Sequence, residues 1–595
     1  MLYPVETTTR RNQSLDGIWH IHFDPDHRGV EQGFPSAPPA GGHEIAVPGS
    51  INEQLMDREL YHNMDWVWYF RTFSVSPAWR GRRLFLRFGA VNYRAEVYLN
   101  QQRLGSHEGG YTPFEFEVTD RIHFDAPNHL VLRVDNLLDA TTIPQGRLDP
   151  AVGGVANWRR DNYPDVHYDF FPFTGIHRPV VLYATGDARI EQLKLTSTVR
   201  GSAASIQLAA HYTGRADRLD VSCAELGRHA SYALAASPQV VEGTFQVDGA
   251  ETWSPEHPKL YEFCFELFRD GVRIDHYVLP YGVRTMEVRG GQLLLNGAPL
   301  FLRGFGRHED TPVAGKGLNL PFLVKDYNLM RWIGANSFRT SHYPYSEEDM
   351  QMADRLGFMV IDETPANTLS MKAVTDPALR QRLAERHRQQ VKELFERDHN
   401  HPCVIMWSLG NECETHEPET RGYFREIVAY ARTLDSSRPI AFVLNSGPDS
   451  EQEADVFDVI CLNKYPSWYV KCGRLEQIDE LLGEVVGFWK KYRKPILMSE
   501  FGADALPGLH NEHTLMWSEE FQVEMLRRVI EFCERHPFVC GTHVWNLADF
   551  KVGQHVGRVV NNWKGVFTRD RHPKMAAHML RELWRKPPAN REFTP

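Results

Sequence analysis

No run of this 595-residue chain stays apolar for much longer than a β-strand, so the sequence offers no membrane-spanning helix. Basic charge is not in excess. The formal net charge of −11 argues against nucleic acid or an anionic membrane as a general partner. It also means that an anionic small substrate has to be met by local basic groups. Cysteine is sparse. The eight residues Cys223, Cys264, Cys403, Cys413, Cys461, Cys472, Cys533 and Cys540 form no CxxC pair and no zinc-binding spacing. Most stand in apolar strand-like or helical text, which predicts reduced, buried thiols and a cytoplasmic protein. The N-terminal stretch MLYPVETTTRRNQS has no apolar core of the kind a secretory signal needs. Internal repeats and low-complexity segments are also missing.

What is present is ordinary globular composition, 42% hydrophobic and 24% charged, over a length that suits three or four domains. Residues 1–185 read as all-β, with short alternating runs such as Arg83–Phe88, Ala95–Asn100 and His129–Val134. Residues 186–284 form a second β segment, of a length that suits an immunoglobulin-like sandwich. From 285 to 595 strand-like runs alternate with helical periodicity. Strands are expected near 300–306, 336–341, 358–362, 403–410, 439–443, 458–464, 495–500 and 539–545. Helical text lies between them over 325–334, 346–357, 379–398, 417–434, 478–492 and 518–535. Eight such units predict a (β/α)8 TIM barrel with insertions.

A barrel of this kind carries its chemistry at the C-terminal ends of its strands. Val404–Asn411 is almost wholly apolar and then closes on Asn411-Glu412, while Pro495–Ser499 closes on Glu500. Glu412 falls after the fourth strand and Glu500 after the seventh, at about the ~31 residues per unit of a typical barrel. Two carboxylates delivered to one pocket are the minimum equipment for breaking a glycosidic bond with an acid and a nucleophile. Other strand ends are polar too: Arg307-His308-Glu309-Asp310, Arg339-Thr340-Ser341-His342-Tyr343, Asp362-Glu363, Asn463-Lys464-Tyr465 and Trp545-Asn546. Any one of these clusters taken alone is equally well read as loop salt bridges and caps.

Taken together, these residues carry a resemblance to the β-glucuronidases of glycoside hydrolase family 2. Asn411-Glu412 is similar to that family's acid/base motif, and Ser499-Glu500-Phe501-Gly502 to its nucleophile motif. Phe170 to Arg178 in the first segment also matches. The resemblance spans nearly the whole chain and implies a jelly-roll sugar-binding-like domain, an immunoglobulin-like sandwich and the catalytic barrel, in that order. Asn562-Trp563-Lys564 resembles the Asn-x-Lys motif with which family members hold the C6 carboxylate of the sugar. An ammonium and an amide donor are suited to that task. Arg558 adds a second charge there or is a plain surface arginine, and the sequence leaves both open. The resemblance further implies that Asp169 reaches the sugar hydroxyls, that His342, Tyr469 and Trp545 line the sugar pocket, and that Tyr465 stands beside the nucleophile. Arg339 is expected to orient Glu500 and keep it ionised. A core role for Trp545 or Tyr469 is the alternative.

The chemistry expected is retaining hydrolysis of a glucuronide, with Glu500 as nucleophile and Glu412 as acid and then base, without metal or organic cofactor. Arg339 and Tyr465 are expected to lower the pKa of Glu500, and nearby negative charge to raise that of Glu412. The partners expected are a small-molecule or oligosaccharide glucuronide and, from the resemblance, further copies of the chain in a homo-oligomer. A β-galacturonidase, a β-galactosidase and a non-catalytic carbohydrate-binding barrel are the competing readings. Two departures from the family pattern stand out. Cys413 follows Glu412 where proline is frequent, and the segment from Thr364 to about Leu379 is short, which predicts an open entrance.

Overall fold

Strict alternation makes the first two segments into sandwiches. In the strand Ala203–Thr213 the residues Ala204, Ile206, Leu208, Ala210 and Tyr212 are buried, and the residues between them face outward. The computed structural model describes residues 1–146, 163–164, 166, 168–234 and 239–586. Residues 587–595, at the end of the third expected segment, lie outside them.

In the first segment a six-stranded antiparallel sheet runs in the order His43–Val47, Gly17–Phe23, Val67–Phe73, Asn128–Asp135, Arg94–Leu99, Gln102–Glu108. A four-stranded sheet, in the order Arg11–Ser14, Val180–Thr185, Arg83–Phe88, Phe114–Glu117, completes the sandwich. Trp19, Tyr69, Leu86, Val97 and Leu132 meet in the core between the two. In the second segment a three-stranded sheet and a four-stranded sheet enclose Leu193, Ile206, Phe245, Phe263 and Leu267.

Eight parallel strands then close a barrel: β1 (Leu302–Gly306), β2 (Ser337–Arg339), β3 (Met359–Glu363), β4 (Val404–Asn411), β5 (Ile440–Leu444), β6 (Val459–Asn463), β7 (Ile496–Glu500) and β8 (Val539–Val544). Every residue of all eight is buried, as parallel strands covered by helices on one side and core on the other must be. Helices are cut where capping chemistry cuts them. Glu347–Leu356 starts on the Ser346 side chain, which accepts from the Asp349 N–H, and stops at Gly357 in a left-handed conformation.

Three elements depart from the expected pattern. The helical text of 417–434 divides into a 3-10 turn, Pro418–Thr420, and a helix, Tyr423–Leu434, separated by Gly422 at φ +85°. Text 478–492 divides between Leu481 and Gly483. A further helix, Met575–Trp584, follows β8, buries Ala576, Ala577, Leu580 and Trp584, and packs between Leu320–Ile333 and Glu519–Glu534. It went unread because none of the described side chains caps its N-terminus and a long irregular segment separates it from β8.

The first sandwich sits against the barrel. Arg178 donates to Glu309 at 3.1 Å and to the Pro344 carbonyl at 2.6 Å. Tyr111 stacks on Tyr343 with ring centroids 4.7 Å apart. Phe170 lies 5.3 Å from the His308 ring. This contact brings Asp169 to the barrel mouth.

Candidate active site

The apolar run of β4 ends at Asn411, and the next residue turns out of the strand. Glu412 has a left-handed backbone, φ +50°, and its N–H donates to the Val443 carbonyl of β5 at 2.9 Å. Its carboxyl then meets the side-chain amides of Asn463, at the end of β6, at 2.7 Å and Asn445, just past β5, at 3.3 Å. Glu500 ends β7. It accepts from Arg339 Nη2 and, at 2.6 Å, from the Tyr465 hydroxyl. The two glutamates share a scaffold. Asn463 Nδ2 touches both Glu412 and Asn411, while its Oδ1 accepts from Ser499, the neighbour of Glu500, at 2.9 Å. Gly502 is required after the nucleophile strand, because a Cβ there would lie 2.1 Å from the Trp545 carbonyl.

Arg339 is fully buried and divided between two anions. Its Nη1 donates to both oxygens of Glu363, at 2.7 and 2.8 Å, and lies 3.2 Å from His342 Nδ1 and 3.4 Å from Asn411 Oδ1. Arg339 and Tyr465 do act to lower the pKa of Glu500, as expected, but they do not set its net direction. Burial pushes Glu500 up to about 8, Glu412 adds to the rise, and Arg339 and Tyr465 only oppose it. Glu363 receives the larger share. Burial alone would raise it, but Arg339 and His342 overcome this and hold it below the ordinary carboxylate range. Burial also raises Glu412, against the hydrogen bonds from Asn463 and Asn445. His342 is lowered to about 4, chiefly by burial, and stacks on Trp545 at 5.0 Å.

A second charged cluster stands between the ends of β6, β7 and β8. Lys564 is 1% exposed. Its ammonium donates to Asp504 and, at 3.0 Å, to the Tyr469 hydroxyl, among the rings of Tyr465, Trp468 and Tyr469. Arg558 is no plain surface arginine. Its Nε lies 3.1 Å from both oxygens of Asp169, its Nη2 donates to Asp169 and to Tyr469, and its Nη1 lies 3.5 Å from Asp504. Asn562 Nδ2 donates to Asp169 at 3.2 Å. Burial would raise Asp169, but Arg558 overcomes it and holds the group well below the ordinary range. All twelve residues singled out from the sequence therefore stand at the C-terminal face of the barrel, Asp169 arriving from the first sandwich.

Three family models match the chain in succession: the family 2 sugar-binding domain over residues 12–186, glycosyl hydrolases family 2 over 188–284, and the family 2 TIM barrel domain over 286–587. The chain belongs to glycoside hydrolase family 2. It is 38% identical to a β-glucuronidase of Paenibacillus borealis, with 98% of each chain covered. It is 36% identical to the β-glucuronidase of Homo sapiens, over 98% of this chain and 92% of that one. Among solved structures, a β-glucuronidase of an uncultured Clostridium superposes with a TM-score of 0.91 at 37% identity, covering 98% and 99% of the two chains. The Ruminococcus gnavus β-glucuronidase in complex with D-glucuronic acid does so with a TM-score of 0.90 at 33% identity, covering 98% and 99%.

For this family 2 glycoside hydrolase, the sequence shows Glu363 and Asn463 among the polar strand ends without giving them a role, and Asn445 and Asp504 pass unnoticed. Strand-end position could have found Asn445 as well, since it follows Leu444, the last residue of β5. Nothing in the sequence singles out Asp504. At the end of β1 the salt-bridge reading of the polar cluster holds. Arg307 is tied to Asp349 at 3.2 Å, and Asp310 accepts from Arg569, so both serve to hold the barrel together. Among the described residues, two trios approach a metal-binding arrangement, Cys264–Glu266–His276 and Asp354–His401–Cys403. The first lies on the second sandwich and its Glu266 is paired with Arg273. The second precedes β4, at the far end from Glu412, and Asp354 already accepts from His401 at 2.5 Å and from the Cys403 N–H at 3.0 Å.

Proposed function

We propose that this chain is a β-glucuronidase that cleaves β-D-glucuronides with retention of configuration. The observation that carries the reading is the cluster of Lys564, Arg558 and Asn562 beside the half-buried Glu412 and the buried Glu500. Two cations and an amide, nearly sealed from water, suit a bound carboxylate and have little use for a neutral hydroxymethyl group. Its relatives bear the name β-glucuronidase, and one neighbour is solved with D-glucuronic acid.

In this mechanism Glu500 is the nucleophile. Both of its oxygens face donors, Arg339 and Tyr465, which serve the ionised form. Among the described residues Glu412 meets only amide donors, the nearest at 2.7 Å, and burial favours its protonated form. Two raised carboxyls in one pocket retain a proton between them, and the partners of Glu500 direct the negative charge to it. Glu412 protonates the leaving oxygen as Glu500 attacks the anomeric carbon. The carboxylate of Glu412 then takes a proton from water, which releases the sugar. Asp169 and Asn411 hold hydroxyls, and Trp545 with His342 forms an aromatic wall.

Chromogenic glucuronide, galacturonide, galactoside and glucoside with one leaving group test the reading. The glucuronide is expected to be the best substrate by a wide margin. A galacturonide preferred over it would make the chain a galacturonidase, and a preferred neutral sugar would remove the carboxylate-binding role. The cytoplasmic and homo-oligomeric expectations stay proposals. All eight thiols are free, six of them buried, in keeping with a reducing compartment. Light scattering decides the oligomeric state.

A further inference from the structure

Asp504 is a buried anion that the reaction does not use. Its side chain has 0% exposure. One oxygen, Oδ2, accepts from the Lys564 ammonium and lies 3.5 Å from Arg558 Nη1, while Oδ1 accepts from the backbone N–H of Trp563 at 2.8 Å. It therefore grips the Asn562–Lys564 turn twice, by side chain and by main chain. It also stands four residues beyond Glu500 on the segment leaving β7. That segment is bonded to the turn again through the Ala505 N–H and the Trp563 carbonyl, at 3.0 Å.

An ammonium has three donors. Asp504 and Tyr469 take two of those of Lys564. The geometry points to Asp504 as the positioning residue that aims the remaining donor of Lys564 at the substrate carboxylate and couples that recognition to the nucleophile strand. The inference rests on the β-glucuronidase reading and deepens it. Asp504 also sets the charge balance of the empty pocket, where Lys564 and Arg558 face Asp504 and Asp169. Two cations without these counter-ions would bear the full cost of burial.

A merely structural aspartate would affect every substrate alike. A positioning one affects only the sugar whose carboxylate Lys564 meets. Asp504→Asn keeps the Oδ1 acceptor for Trp563 and removes the charge facing Lys564. The test is steady-state kinetics on nitrophenyl glucuronide and nitrophenyl glucoside in four proteins: wild type, Asp504→Asn, Lys564→Ala and the double variant. A misplacement of about 1 Å costs on the order of 100-fold. The glucuronide-to-glucoside ratio of kcat/KM is expected to fall by about that factor in Asp504→Asn, mainly through KM, with glucoside turnover kept.

In the Lys564→Ala background the loss of ratio is expected to vanish or to reverse. There Asp504 has no ammonium to aim and only repels the substrate carboxylate, so Asp504→Asn leaves the ratio unchanged or raises it. Equal losses on both sugars, or the same loss of ratio in both backgrounds, would overturn the inference. If Asp504→Asn does not fold, Asp504→Glu is measured. It keeps the charge and shifts it by a methylene, and an unchanged ratio there likewise overturns the inference. A wild type without preference for glucuronide would sink the functional reading itself, and so is distinguishable from failure of the Asp504 role.

Discussion

Truncating Lys564 to alanine tests the specificity site most directly. Lys564 is 1% exposed and bonded to Asp504 and Tyr469. A glucuronide brings its own anion to this ammonium. Removing one partner of such a buried charged pair costs roughly 2–5 kcal/mol. That corresponds to a loss on the order of 30- to several-thousand-fold in kcat/KM for glucuronide. The upper half of the range is favoured here, because the truncation also leaves Asp504 anionic beside the incoming carboxylate. For a glucoside the structure changes what is expected. An ammonium left idle by a hydroxymethyl group would penalise that sugar, and its removal would then raise glucoside activity. Lys564 is not idle, since Asp504 and Tyr469 hold it, so glucoside activity should stay within a few-fold of wild type. Asn562→Ala should move selectivity the same way by less, since a neutral donor contributes less than a charged one. Matched nitrophenyl glucuronide and glucoside give both ratios, with circular dichroism and thermal melts as folding controls. Equal losses on the two sugars would falsify the carboxylate-binding assignment and leave a β-glycosidase of unspecified sugar.

Glu500→Ala and Glu412→Ala should each abolish most turnover, yet azide should rescue only the former, and the latter should lose little on substrates with very good leaving groups. NMR showing an inverted product from the wild type would defeat the retaining mechanism. Glu500→Gln should raise the thermal midpoint, and more at pH 8 than at pH 5. The folded pKa of Glu500 is raised to about 8, above the roughly 4.3 of an unfolded glutamate, so its stabilising contribution is complete below the unfolded value and is lost as pH rises toward 8. A gain that is larger at pH 5 contradicts this. Arg339→Gln should destabilise by about 3–5 kcal/mol and stop turnover, because Glu363 and Glu500 lose their common cation; a wild-type denaturation midpoint refutes the pairing. The short segment after Glu363 should admit bulky aglycones, and an enzyme confined to small aryl glucuronides would contradict that.

The barrel strands were legible in the sequence because a parallel strand covered on both sides is mostly apolar, so Val404–Leu409, interrupted only by Ser408, and Ile496–Met498 announce themselves. The polar residue that ends such a run is visible for the same reason, which is how Glu412 and Glu500 stand out. The sandwich strands are legible from their alternation. The helix Met575–Trp584 was not, since it has no cap and no short connection to mark it.

Pairing between distant charges was beyond reach. Asp169 and Arg558 are 389 positions apart, and nothing local in either marks the other as its partner. Asp504 looks like any loop aspartate until the closed barrel sets it under Lys564. The protonation balance of Glu500 also belongs to the tertiary structure. The residue types around it predict a lowered pKa, but burial, with Glu412 adding to it, outweighs Arg339 and Tyr465 and reverses the direction. Periodicity and residue type are local properties that the sequence determines. Burial, and the sharing of one cation by two anions, exist only once the chain has closed around them.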